Sequence, residues 1–197
     1  MDEVQHLIAE LASGDDERAE AAVARLAGYG PAVLHALQEL LSANAGSSPE
    51  ERDARWWGVR ALAEITGPQV VPLLIYYLGD EDPGLRQCAA LGLRKQPDPQ
   101  AVQALVSALE DKDHLVASLA ADALAAIGAA SVPALLEVLH DGSPGARVEA
   151  ARALANIGDH RSIQALFDAL DDGSALVQHW ANEGLERMGV GMTFFKP

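Results

Sequence analysis

VPALLEVLHDGSPGARVEAARALANIG, residues 132–158, reads as two helices joined by a tight turn. Val132, Leu135, Leu136 and Leu139 recur at helical spacing and define a first helix with one apolar face. His140-Asp141-Gly142 breaks it. Ser143 has the chemistry of an N-cap, and Pro144 suits the first helical position, where its missing N–H costs nothing. The second helix turns Ala146, Ala150, Leu154 and Ile157 inward, and Gly158 stands where a left-handed C-terminal cap is wanted.

The same sentence recurs along the chain. Copies begin at Val71, Val102, Val132 and Ile163, spaced 31, 30 and 31 residues apart. A fixed period of this size predicts an all-α solenoid. Asp82-Pro83, Asp113 and Ser174 take the cap position, and Gly128 and Gly189 close second helices. Ala89, Ala90, Ala120, Ala121, Ala150 and Ala151 sit mid-helix, where small side chains let neighbouring helices approach closely. Two degraded copies precede Val71, the second carrying about seven extra residues in its turn, ANAGSSPE, before a cap at Ser48-Pro49. The expected organisation is one repeat domain over residues 1–189, with repeats at 4–30, 31–67, 71–98, 102–128, 132–158 and 163–189. Residues 190–197, with Phe194 and Phe195, are expected to fold back as a cap over the terminal repeat.

Charge narrows the function. Acids outnumber Lys and Arg by 29 to 14, giving a net charge of −15. Nucleic acid and anionic membranes both require clustered cations, so neither is an expected partner. One cysteine, no apolar run of spanning length and an acidic N-terminus fit a cytoplasmic monomer.

The run Asp141-x-x-Pro144-x-x-Arg147-x-x-Ala150-Ala151-x-x-Leu154-x-x-Ile157-Gly158 resembles the HEAT-repeat pattern, in particular the short PBS-lyase-like subtype. The resemblance covers roughly residues 4–189. It implies paired antiparallel helices stacked into a right-handed superhelix, with second helices lining the concave side. It further implies protein binding, and in some relatives the attachment or detachment of bilin chromophores. Arg18, Arg55, Arg86 and Arg147 match the family's basic ladder, with turn acids at Asp80, Asp111, Asp141 and Asp172; Ala117 and Gln178 interrupt it. The gap at Ala117 is expected to leave Asp111 short of a partner from its own repeat and to weaken that layer.

On this geometry three columns face the groove: Trp57, Cys88, Leu119, Glu149, Trp180; Trp56, Gln87, Ser118, Val148, His179; and Arg60, Leu91, Asp122, Arg152, Glu183. Trp and Arg are favoured at binding hot spots. The expected partner-binding set is therefore Trp56, Trp57, Arg60, Leu91, Leu119, Asp122, Arg152, His179, Trp180 and Glu183. Local packing is the alternative for the tryptophans: Trp56 and Trp57 adjoin the insertion, and the tail could cover Trp180.

Chemistry is sparse. The six histidines are dispersed, and no His-Glu pair or glycine-rich phosphate loop occurs, so no metal or cofactor site is expected. The absence of His-Glu pairs argues against the iron-dependent HEAT-repeat hydroxylases, and the acidity argues against HEAT-like DNA glycosylases. Cys88 is expected to be an inert packing residue. The leading expectation is a non-catalytic scaffold, not an enzyme, gripping a protein or peptide in the concave groove. The alternative is a bilin-lyase-like subunit, for which Arg60 and Arg152 would supply cations and Trp57 and Trp180 flat surfaces.

Overall fold

The computed structural model describes residues 2–46 and 48–190, so the expected C-terminal cap at Phe194 and Phe195 lies outside them. Two compact units emerge, residues 1–96 and 97–197. The first contains α1 (Asp2–Leu11), α2 (Asp16–Ala27), α3 (Leu34–Ala43), α4 (Pro49–Leu62), α5 (Val71–Leu78) and α6 (Pro83–Lys95). The second contains α7 (Val102–Ala108), α8 (His114–Ile127), α9 (Val132–Asp141), α10 (Pro144–Ile157), α11 (Ile163–Asp168) and α12 (Ala175–Arg187). No strand occurs among the described residues.

Each odd-numbered helix packs on the even-numbered helix that follows it. Even-numbered helices then stack on one another: α2 on α4 on α6 in the first unit, α8 on α10 on α12 in the second. One leucine from each partner anchors every pair. Leu11 and Leu26, Leu37 and Leu62, Leu74 and Leu93, Leu105 and Leu124, Leu135 and Leu154, and Leu166 and Leu185 all lie within 1% of complete burial. Ala89, Ala90, Ala120, Ala121, Ala150 and Ala151 are wholly buried where second helices touch. Gly92 takes this close approach furthest, since a Cβ there would stand 3.0 Å from the Ala63 Cα and 2.8 Å from Leu74 Cδ1.

The helix signals act as their chemistry dictates. Asp82 and Asp113 accept the backbone N–H groups of Gly84 and Leu115, and Ser143 accepts that of Ala146. Gly158 is left-handed (φ 65°, ψ 29°) and ends α10 by donating to the Leu154 carbonyl. Ser48 does more than cap. Its hydroxyl accepts from the Glu51 amide while the Glu51 carboxylate accepts the Ser48 amide, a reciprocal box that restarts α4 after the insertion. Ser174 is the exception: its hydroxyl makes no cap bond, and Asp172 Oδ1 accepts the Ser174 N–H at 2.7 Å.

The arginine ladder runs between layers. Arg55 donates to Asp80 at 2.6 Å and Arg147 to Asp172 at 3.1 and 3.3 Å, each reaching an acid 25 residues ahead. Arg86 braces its own turn through the carbonyls of Asp80 and Glu81, both at 2.9 Å, and Arg18 pairs with Glu10. This register corrects the expectation about Ala117. The missing arginine falls opposite Asp141, not Asp111. Asp141 is 79% exposed and, among the described residues, meets only the neighbouring His140 ring, while Asp111 accepts the Asp113 amide. Glu110 takes over the interlayer link there, its carboxylate accepting the Ser143 N–H at 2.9 Å. The Ser143 hydroxyl and, second, its amide hold the Glu110 carboxyl below its ordinary range.

Candidate functional site

The expected groove residues fall on α4 and α6 in one unit and on α8, α10 and α12 in the other. In the first unit the tryptophans are packing residues. Trp57 is 6% exposed and meets the half-buried Trp56 edge-on, with centroids 4.8 Å apart. Trp56 lies against Gly84, where an added Cβ would approach its ring to 3.1 Å. Cys88 is 3% exposed, and burial pushes its thiol up to about 11, which keeps it protonated and unreactive. Leu91 is half-buried.

Arg60 is committed to Glu64 in the turn that follows its helix and approaches Glu20 of α2 at 3.6 Å; Lys95 of α6 reaches the same Glu64. This line of charges ties α2, α4 and α6 together. Burial raises the Glu64 carboxyl, but the hydrogen bonds from Lys95 and Arg60 outweigh it and leave the group below its ordinary value. The first unit therefore presents an ion-paired face and not the expected aromatic strip.

The second unit is different. Leu115 and Leu119 lie one turn apart on α8, and Leu176 and Trp180 repeat that spacing on α12; the equivalent positions of α10 are Gly145 and Glu149, with half-buried Val148 beside them. Leu115 is 52% and Leu176 59% exposed. His179 is exposed, and its ring tilts 60° against Trp180 at 5.1 Å. One border of this apolar shelf is charged. Arg152 donates to Asp122 at 2.6 Å, to Glu149 at 2.8 Å and to the Ser118 carbonyl at 2.7 Å. Burial would lower the Arg152 guanidinium, but its two carboxylate partners raise it, so it stays charged. Glu183 lies 3.6 Å from Arg187, which also donates to Asn156.

The structure thus gathers Leu119, Asp122, Arg152, His179, Trp180 and Glu183 on the stacked helices α8, α10 and α12. Leu115 and Leu176 belong with them but were not singled out by the repeat pattern. The signal was available: positions 84, 115, 145 and 176 read Gly, Leu, Gly, Leu at the exposed start of each second helix. Among the described residues no group of three His, Cys, Asp or Glu could hold a metal, and no helix is long and apolar enough to cross a membrane.

The sequence matches the family described as HEAT repeats over residues 44–125 and 108–186. The chain belongs to the HEAT-repeat family. Over 171 residues it is 29% identical to phycocyanin operon protein Z of Pseudanabaena tenuis, a protein of uncharacterised role; the match spans 81% of this chain and 82% of that one. It is 35% identical over 92 residues to the bilin biosynthesis protein RpcF of a Synechococcus strain, covering 46% of this chain and 44% of the relative. The CpcE–CpcF complex of phycocyanin lyase from Nostoc shares the fold, with a TM-score of 0.57 and 20% identity over 76% of this HEAT-repeat chain and 96% of that one. These relatives correct the leading functional expectation. Relatives named for a phycocyanin operon and for bilin biosynthesis run against a non-catalytic scaffold and favour the bilin-lyase-like alternative over it.

Proposed function

We propose that this HEAT-repeat chain is a subunit of a bilin-lyase-type system, which holds an open-chain tetrapyrrole while a protein partner takes part in its attachment or removal. The observation that carries this reading is the relationship to phycocyanin operon protein Z along four-fifths of both chains. A cytoplasmic location belongs to the same reading.

The second unit offers the matching chemistry. A bilin is a conjugated ribbon with flat apolar faces, an edge of pyrrole N–H donors and two propionates. Its faces would lie on Trp180, Leu176 and Leu119, where burying an indole face against a flat ligand is favourable. Glu149 would accept from the pyrrole N–H edge, since Arg152 engages its Oε2 and leaves Oε1 for that purpose. Arg152 then acts as a positioning residue that aims the Glu149 carboxylate. The propionates would point outward, toward the half-exposed Arg187. Trp57 has no part in this reading, because it is buried.

Titration of a free open-chain bilin, followed by its visible absorbance, tests the assignment. Trp180→Ala should weaken binding by about tenfold, the equivalent of ~1.4 kcal/mol and within the range of aromatic stacking plus area loss. An unchanged affinity in Trp180→Ala, with the wild-type chain binding bilin, would move the site off this shelf.

A further inference from the structure

A second concave feature lies away from the shelf, in the first unit. A cleft of about 560 Å³ opens between the inserted turn at Gly46, the first turns of α4 at Arg52 and Arg55, and the α5–α6 turn at residues 79–82. A lobe of about 510 Å³ adjoins it across Arg55 and Tyr76, walled by Leu41, Leu73 and Tyr77. Tyr76 stands between the two and is 72% exposed, the most exposed large apolar side chain among the described residues. Tyr77 meets it edge-on at 5.1 Å and fixes its base.

The turn beside Tyr76 is locked. Arg55 donates to the Asp80 carboxylate at 2.6 Å, whose other oxygen accepts the Asp82 amide at 3.0 Å. Asp82 accepts the Gly84 amide at 2.7 Å, and Arg86 binds both turn carbonyls. Asp80 and Asp82 are thus used by the protein itself. Glu81 is not: its exposed carboxylate meets no partner among the described residues. An exposed aromatic ring and a carboxylate with no partner among the described residues therefore line the same preformed cleft. That pairing is what a guanidinium or ammonium group requires, a π face for its flat or apolar side and a carboxylate for its N–H groups.

We propose that this cleft is a docking site for an extended segment of a partner protein that places an arginine or lysine against Tyr76 and Glu81. Neighbouring apolar side chains of the segment would enter the lobe at Leu73 and Tyr77. The net charge of −15 favours a basic partner's approach from a distance, and the cleft supplies the place where it stops. Arg52, also without a partner among the described residues, stands on the rim, where it would meet an acidic neighbour of the docked side chain and so fix direction. The site is independent of the bilin shelf: no residue is shared.

The probe is a fluorescein-labelled octapeptide of alternating Lys and Arg, followed by anisotropy in about 150 mM salt, where long-range attraction is largely screened. Tyr76→Ala and Glu81→Gln should each weaken capture by about two- to fivefold, and the double variant by about tenfold. Tyr76→Leu keeps the bulk and the helix propensity but removes the π face, so it should lose capture as Tyr76→Ala does. Glu137→Gln, which removes the same charge from an exposed position in the other unit, should change affinity by less than about twofold. A double variant that captures the peptide as wild type does, an equal loss in Glu137→Gln, or tighter capture of octaglutamate would each overturn the proposal. Bilin binding should be the same in all these variants, which separates this test from that of the shelf.

Discussion

Replacing Arg147 by methionine keeps the aliphatic stem that packs along α10 and removes only the guanidinium. Three hydrogen bonds disappear: Nε to Asp172 Oδ2 at 3.1 Å, Nη2 to Asp172 Oδ1 at 3.3 Å, and Nη1 to the Gly142 carbonyl at 3.2 Å. The two side chains are 23% and 17% exposed, so the pair is neither free in solvent nor fully desolvated. Hydrogen bonds to charged groups contribute about 1.5–3 kcal/mol when short and sheltered. These are long, and Asp172 keeps its bond from the Ser174 amide, so the expected loss is about 2 kcal/mol. For a chain of this size that lowers the melting temperature by roughly 4–8 °C. Asp172→Asn should cost a similar amount, and the double variant only slightly more, giving a coupling of about 1–2 kcal/mol. The Arg147 hydrogen bonds hold the Asp172 carboxyl below its ordinary value. Its contribution is therefore complete above the unfolded value of about 3.9 and is lost as pH falls through the folded one. The gap between wild type and Arg147→Met, read by thermal melts at 222 nm, should be constant from neutral pH to about pH 5 and narrow below pH 4. A variant melting within about 1 °C of wild type, or a gap that does not narrow in acid, refutes the interlayer role.

Other outcomes follow from the same packing. Glu110→Gln should destabilise the second unit by about 1 kcal/mol and speed amide exchange at Ser143, because a neutral acceptor replaces the charged one; unchanged exchange there would remove Glu110 as the substitute for the missing arginine. Gly92→Ala and Gly145→Ala should act in opposite directions. The first drives a Cβ into the Ala63 backbone and should cost about 1–2 kcal/mol, while the second meets nothing within 4 Å and should stabilise by about half a kcal/mol through helix propensity. Matching signs in denaturant melts would contradict the packing. Cys88 should resist alkylation in the native state at pH 7–8 and react only as the chain opens. Its thiol, raised by burial to about 11, makes stability fall as pH climbs from about 8.5 toward that value; prompt labelling of the native protein would show an accessible thiolate.

Much of the fold is written in residues 132–158 and their copies, since helix period, cap chemistry and paired alanines are local properties. The six leucine pairs follow from the same register. What depends on distance between layers is harder to see. Arg147 can be recognised as a ladder residue from its position, but nothing local says that it reaches Asp172 ahead of it, and so the effect of Ala117 falls one turn further along the chain than its own repeat suggests. Burial along a column also varies in a way a repeat average hides. Position 57 and its equivalent 88 are buried in the first unit, while 119, 149 and 180 are half-exposed in the second. Trp57 is therefore core, and Trp180, at the same repeat position, is surface. Arg60 and Arg152 read as available cations from the sequence, yet each is held by carboxylates, because an acidic chain finds a partner for nearly every base it places near a helix contact. The Tyr76 cleft is closed on one side by the insertion at Gly46, a stretch for which the repeat offers no counterpart to compare.

The central claim is that this HEAT-repeat chain handles a bilin. The direct measurement is the visible spectrum of the affinity-purified chain after co-production with a free open-chain bilin. The account predicts a bound chromophore whose long-wavelength band is stronger and narrower than that of free bilin, near one per chain, and lost in Trp180→Ala. Protein that emerges colourless under the same conditions would contradict it.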